Sequence, residues 1–325
     1  MIAIPYKIVD NTIGVFNTEI DTFIVQLVNN LNRMRSDKRL KLTREKKDYI
    51  NEIISHSKDL IIAKPKKLDQ YRQAFDKIIT PADMASKQFE SFRNRLIKEL
   101  GYTTRRSDFY PKYFRKIGIK SCVYCNAHLT VAIEKVTQLR TKQKFTYKAK
   151  FQVDHYWPKS KYPCFSISLY NLYPVCGSCN NCKSFHDLEF LLYSDSKTSI
   201  ISSFKFNLVP GSVANYLLSR KIEDINFTFN EPPVLPTVKK FQEVFDIQGI
   251  YDTQKDLAEE LILKAEVYTA PYRLKLKKQF PKLFTTPGIF NRILLGNYSS
   301  EEDIHKRPMA KFTIDIARQV GLIKK

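Results

Sequence analysis

Two stretches decide the fold: Ser121-Cys122-Val123-Tyr124-Cys125 and, about fifty residues on, Asn171-Leu172-Tyr173-Pro174-Val175-Cys176-Gly177-Ser178-Cys179-Asn180-Asn181-Cys182-Lys183. Each contains a Cys-x-x-Cys turn, which brings two sulfurs to one point. Two such knuckles supply four thiolates for a tetrahedral Zn²⁺. The ligand set read from this spacing is Cys122, Cys125, Cys176 and Cys179. Cys182 is an alternative to Cys176, since Cys179-x-x-Cys182 has the same spacing, although it would lie a turn inside a helix. His128 is a second alternative. Zinc held by four thiolates has no open coordination position, so its role is structural: it clamps whatever lies between the knuckles.

Working outward, all six cysteines fall between Cys122 and Cys182. A secreted disulfide scaffold would spread them along the chain and follow a signal peptide, whereas residues 1–10 carry only a short apolar stretch. Cys164 is expected as a small buried apolar side chain. No apolar run approaches the roughly 20 residues of a membrane span. The expectation is therefore a cytoplasmic protein with no membrane association. At 325 residues, 43% of them hydrophobic, the chain can bury a substantial core. Its net charge of +21 favours a polyanionic partner, because each neutralised phosphate releases a counterion.

Between the knuckles the apolar period changes. Leu129, Val131 and Ile133 alternate with polar residues, as do Phe145, Tyr147, Ala149, Phe151 and Val153. This predicts a half-buried β-hairpin that turns within 137–144 and whose second strand ends at Val153-Asp154-His155. Lys135, Arg140, Lys142, Lys144, Lys148 and Lys150 decorate it as a surface suited to tracking a phosphate backbone. After the second knuckle, Phe185, Leu188, Leu191 and Leu192 fit a helix running to about Tyr193.

The flanks read as mostly helical. Ile20, Phe23, Ile24, Leu27, Val28 and Leu31 share one face. Thr80-Pro81-Ala82-Asp83 starts a helix expected to run to Gly101, with Thr80 as N-cap. Short strands are expected at 204–208 and 225–229, then helices over 253–278 and 300–320, the latter opened by a Ser299/Glu302 capping box. The segments expected are 1–117 (helical), 118–195 (core) and 196–325 (mixed, then helical).

His155 has the chemistry of a general base near neutral pH, Asp154 is an adjacent hard oxygen ligand, and Asn180 offers an amide oxygen. Such oxygen donors suit Mg²⁺ or Mn²⁺. With the cysteines, Asp154-His155, Asn171-Leu172 and Asn180-x-x-Lys183 in this order, the stretch from Cys122 to Lys183 resembles the zinc-ribbon HNH endonucleases, the ββα-metal nucleases. The resemblance implies an α+β fold with a central ββα-metal core. It implies His155 as general base, Asp154 and Asn180 as ligands of a catalytic cation, and Asn171 as the residue that organises the loop and orients the base. Ser184 stands where colicin-type sites have a further His, which favours Mg²⁺ over Zn²⁺ for catalysis. The Asp154-His155-x-x-Pro-Lys159 run looks especially like HNH proteins of bacterial anti-phage systems of the Septu and retron-effector type. That implies a partner such as a defence-system ATPase. The expected substrate is nucleic acid, DNA before RNA, with Lys159, Lys183, Lys142 and Lys144 on its phosphates. The rival reading is a non-catalytic zinc module that binds nucleic acid or docks a partner protein.

Overall fold

A computed structural model describes residues 1–139, 143–184, 186–195 and 202–324. The chain is mixed α/β and mostly helical, with three two-stranded sheets among the described residues. No described helix is long and apolar enough to cross a membrane. Two compact units are present. One contains residues 4–117 and 132–174; the other contains 1–3, 118–131 and 175–325. The segment 118–195 is thus shared between them.

In the first unit, helices α1 (Tyr6–Val15) and α2 (Asn17–Ser36) begin a helical layer. Ile20, Phe23, Leu27, Leu31 and Met34 form the buried stripe of α2, at the spacing that aligns side chains on one helical face. The helix α3 (Arg44–Ser55) supplies Tyr49, α4 (Ser57–Ile62) follows it, and α5 (Pro65–Asp76) supplies Phe75, whose ring lies 4.7 Å from that of Tyr49. Phe165 packs edge-on against Phe75 at 6.1 Å, and the Tyr49 hydroxyl donates to the Cys164 sulfur at 3.1 Å. These contacts seat the Pro163–Ile167 turn on the helices. Cys164 is fully buried, as its residue type suggested.

The helix expected from Thr80 to Gly101 is broken. Thr80 does cap α6 (Pro81–Ala85), its hydroxyl accepting from the Asp83 amide at 3.1 Å. Ser86 then turns extended, and α7 (Glu90–Glu99) starts afresh after a short 3-10 turn. Gly101 ends it with φ +75°, where an added Cβ would meet the Phe23 ring at 3.4 Å. Then follow α8 (Tyr102–Ser107) and α9 (Phe109–Ile117).

The hairpin is also different from the expectation. Strands β1 (Val131–Gln138) and β2 (Gln143–Lys150) pair, but they are largely exposed, with Val136 at 52% and Phe145 at 51%. The chain bends at Phe151, whose ring packs edge-on against Phe114 of α9 at 5.5 Å. Asp154 and His155 therefore lie on a separate strand, β3 (Gln152–His155), which pairs with β4 (Leu172–Val175).

The second unit is built on aromatic packing. Strands β5 (Lys205–Leu208) and β6 (Phe227–Asn230) pair antiparallel with Phe206 opposite Phe229. Phe206 also meets Tyr251 at 4.4 Å and Phe312 at 5.1 Å. The helix after the second knuckle, α10 (Gly177–Lys183), is short and stops at Ser184 (φ +43°), so the expected run to Tyr193 is absent. Phe185 lies outside the described residues. The helix predicted over 253–278 is two, Lys255–Val267 and Ala270–Gln279, with Pro271 in the first turn of the second. Similarly, 300–320 divides into a 3-10 segment, Glu301–Lys306, and the helix Ala310–Gln319. Pro308 lies between them, and no side-chain capping bond forms at the start.

Candidate metal centre and catalytic strand

The sulfurs of Cys122, Cys125, Cys176 and Cys179 all lie within 4.8 Å of one another, and all four residues are buried. Tetrahedral Zn–S bonds of about 2.3 Å need sulfur separations of roughly 3.8 Å, so the cluster is the right size for one zinc ion. Cys182 is exposed and outside it. The His128 Nδ1 stands 3.5 Å from the Cys125 sulfur as a neighbour rather than a cluster member. Among the described residues this is the one group of three or more His, Cys, Asp or Glu side chains close enough to hold an ion.

Local backbone donors face the sulfurs. The Cys176 amide donates to Cys122 Sγ at 3.3 Å, the Ala127 amide to Cys125 Sγ at 3.4 Å and the Cys179 amide to Cys176 Sγ at 3.5 Å. Hydrogen bonds from Cys122 and the other two sulfurs pull Cys125 far below the usual thiol range. The bond from Cys122 lowers Cys176 to about 7. Burial pushes Cys122 up, and shared bonds led by that to Cys122 push Cys179 up. Four buried sulfurs at this spacing cannot all carry charge alone, but a bound dication lets all four ionise. The donor set therefore fits zinc.

The knuckle is tied into its unit by a residue that the spacing argument missed. Asn126 is fully buried in a left-handed conformation, φ +54°. Its Nδ2 donates to Ser121 Oγ at 2.8 Å and to the Ile304 carbonyl at 2.9 Å, while its Oδ1 accepts from the Lys311 amide at 3.0 Å. Its own carbonyl accepts from the Met309 amide at 2.7 Å. The available signal was an Asn directly after a Cys-x-x-Cys, since Asn is among the few non-glycine residues that tolerate this conformation. Tyr124 stacks on Phe245 at 4.9 Å, and the Tyr251 hydroxyl donates to the Cys125 carbonyl at 2.9 Å.

Asp154, His155, Lys159 and Asn171 belong to the first compact unit; the four cysteines, Asn180 and Lys183 belong to the second. His155 is buried, its ring 5.0 Å from that of Tyr102. Its Nε2 lies 3.2 Å from the Ser166 carbonyl. A carbonyl only accepts, so in the neutral ring Nε2 carries the hydrogen and Nδ1 is the basic nitrogen. Asn171 clamps the loop that follows. Its Oδ1 accepts from the Trp157 amide at 2.7 Å, and its Nδ2 donates to the carbonyls of Phe165 at 2.9 Å and Trp157 at 3.1 Å. Its carbonyl accepts from the Tyr156 amide at 3.0 Å. Thus Asn171 fixes both ends of 156–165 and, through Phe165, the neighbourhood of the carbonyl that holds His155.

Asp154 is buried beside Lys159 and Tyr102, and its charge acts on both. Burial raises the Tyr102 hydroxyl to about 12. The Lys159 ammonium lies 4.9 Å above the Tyr102 ring. Partial desolvation, then the nearby charge of Arg106, push its pKa below the ordinary lysine value, and Asp154 opposes that shift. Trp157 packs between Arg72, at 5.1 Å, and Tyr162, at 5.6 Å. Asn180 is half-buried on α10. Lys183, expected to face phosphates, is only 3% exposed, whereas Lys144 is exposed on β2. Lys142 and Arg140 lie outside the described residues. Tyr102 and Arg106, both on α8, are neighbours that no motif announced.

No family model, curated protein or solved structure matches the chain.

Proposed function

We propose that the protein is a metal-dependent nuclease of the HNH type, hydrolysing phosphodiester bonds in nucleic acid, with the four-cysteine zinc site as a structural clamp. The observation that carries this reading is the fixing of His155. One ring nitrogen is tied to a backbone carbonyl and the loop beyond is held at both ends by Asn171. That arrangement sets one tautomer with a basic Nδ1, which a general base requires before water can be activated.

In the reaction, Nδ1 of His155 takes a proton from water as its oxygen attacks phosphorus, and the bond from phosphorus to the 3′ oxygen breaks. A Mg²⁺ or Mn²⁺ ion, when bound, supplies Lewis-acid stabilisation to the departing oxygen. The sequence resemblance assigns Asp154 and Asn180 as its ligands, and of these Asp154 lies beside His155 on β3. Lys159 adds positive charge beside Asp154. The sequence resemblance extends the reading to anti-phage defence, with an ATPase as a partner.

The test is incubation of the full chain with plasmid, linear duplex, single strands and RNA, each with Mg²⁺, Mn²⁺ or EDTA. His155→Ala should lower cleavage by about 10²- to 10⁴-fold, the usual worth of a general base, with zinc content and circular dichroism unchanged. A parent protein that cuts none of these substrates, or a variant that cuts as well as the parent, overturns the proposal and favours the non-catalytic binding module.

A further inference from the structure

The first compact unit contains a half-open cleft of about 450 Å³ between the end of α8 and the β1–β2 ribbon. Arg106, Lys135 and Lys148 stand on it, Tyr147 and Phe151 give it aromatic walls, and Val153 of the catalytic strand closes one side. Among the described residues, none of the three cations is paired with a carboxylate. Their neighbours differ: Arg115 is bound to Glu134 at 3.1 Å and Lys112 to Glu19 at 3.3 Å. Like charges gathered around a concavity repel one another unless an anion lies between them.

The walls narrow the choice of anion. Phe151 is held edge-on by Phe114 yet remains partly exposed, as does Tyr147. An aromatic surface inside a cationic cleft suits a base stacked beside its own phosphate. The volume falls in the range of about 300–1,000 Å³ seen for small-molecule pockets, which is the scale of a nucleotide rather than of a helix. In a duplex the bases are stacked on each other, so its outer phosphates would meet the cations but the aromatic walls would have no base to stack on.

We infer that this cleft takes one unpaired nucleotide of a single-stranded or locally opened nucleic acid, with Arg106 and Lys148 on its flanking phosphates and Phe151 against its base. The inference rests on the nuclease reading for its position, because Arg106 and Asp154 both act on Lys159 and Tyr102. A strand seated in the cleft thus passes along the catalytic strand, and the substrate class of the proposed enzyme becomes unpaired nucleic acid.

Binding tests this apart from cleavage. Fluorescence anisotropy of a labelled oligothymidylate and of a labelled duplex of equal length, in EDTA, should show at least about tenfold tighter binding of the single strand, the effect of stacking one base. Replacing both Arg106 and Lys148 by Ala should reduce the slope of log K against log salt for the single strand by about 1.4, or 0.7 per lost phosphate contact. Phe151→Leu, which keeps an apolar side chain against Phe114, should weaken single-strand binding about 5- to 150-fold and leave duplex binding unchanged. Equal affinity for duplex and single strand, or an unaltered salt slope in the double variant, overturns the inference. His155→Ala should bind like the parent, so loss of cleavage there and loss of binding here report on different claims.

Discussion

Replacing Asn126 measures how much of the second unit hangs on the zinc knuckle. Its side chain makes three buried hydrogen bonds, to Ser121, Ile304 and Lys311, at 2.8–3.0 Å. Asn126→Gly retains the backbone conformation, because glycine accepts φ +54° freely, but loses all three bonds. At about 0.5–1.5 kcal/mol net for each bond, with the Lys311 amide left buried and unsatisfied while the Ile304 carbonyl keeps its bond from Ser121 Oγ at 3.3 Å, the loss is on the order of 2–5 kcal/mol. That is a large fraction of the roughly 5–15 kcal/mol by which a domain is stable. Asn126→Ala suffers the same losses and adds about 1 kcal/mol for a Cβ in the left-handed region. The assay is urea unfolding of the zinc-saturated protein followed by far-UV circular dichroism, with zinc release to a colorimetric chelator measured in parallel. The glycine variant should unfold at lower urea and release zinc faster, and the alanine variant should be worse again. A glycine variant within about 0.5 kcal/mol of the parent, the scatter of ordinary surface changes, would refute the reasoning, and so would an alanine variant as stable as glycine.

Two further outcomes follow from the same unit. Cys179→Ser should abolish the bound zinc measured by elemental analysis and lower Tm, whereas Cys182→Ser, an exposed position outside the cluster, should change neither. His305 donates from Nε2 to the Ile2 carbonyl at 2.7 Å, and burial, then the neighbouring amino terminus, lower its pKa from 6.5 to about 3. The folded chain keeps this ring neutral while the unfolded chain protonates it, so its contribution is complete above pH 6.5 and is lost as pH falls from there towards about 3. The slope is up to about 1.4 kcal/mol per pH unit. Urea midpoints at successive pH values should fall more steeply for the parent than for His305→Gln; parallel curves would show that His305 is not the group responsible.

The four-cysteine cluster was legible because its information is local: two turns, each bringing a pair of sulfurs to one place, leave little for distant contacts to decide. The strand that carries Asp154 and His155 was only half legible. The alternation from Phe145 to Val153 is unbroken in sequence, and the bend at Phe151 comes from a ring contact with Phe114, far away in the chain. Residues 188–192 carried the right signal at the wrong period. Leu188, Phe190 and Leu192 are buried and Glu189 and Leu191 exposed, which is the two-residue repeat of extended chain, while the spacing of Leu188, Leu191 and Leu192 imitates a helix. Pro308 should have stopped the last helix, since it has no amide hydrogen to give. The sequence offered a sign of Asn126's backbone conformation but none of its anchoring contacts, whose partners at 304–311 are nowhere near it in sequence.

Because the second unit is assembled from separated segments, its completion is tied to the tempo of translation. Asn126 and the Lys311 amide that binds it are 185 residues apart. At about 5–20 residues per second, the first pair of thiols leaves the ribosome roughly 10–40 s before the segment that locks it in place. Cys122 and Cys125 are a half-site, open to oxidants and competing metals, only until Cys176 and Cys179 follow 54 residues later, roughly 3–11 s at that rate; the completed set of thiols then waits for the 304–311 segment. Metal capture and thiol oxidation at the four-cysteine cluster therefore compete before the Asn126 contacts that lock the first knuckle can form.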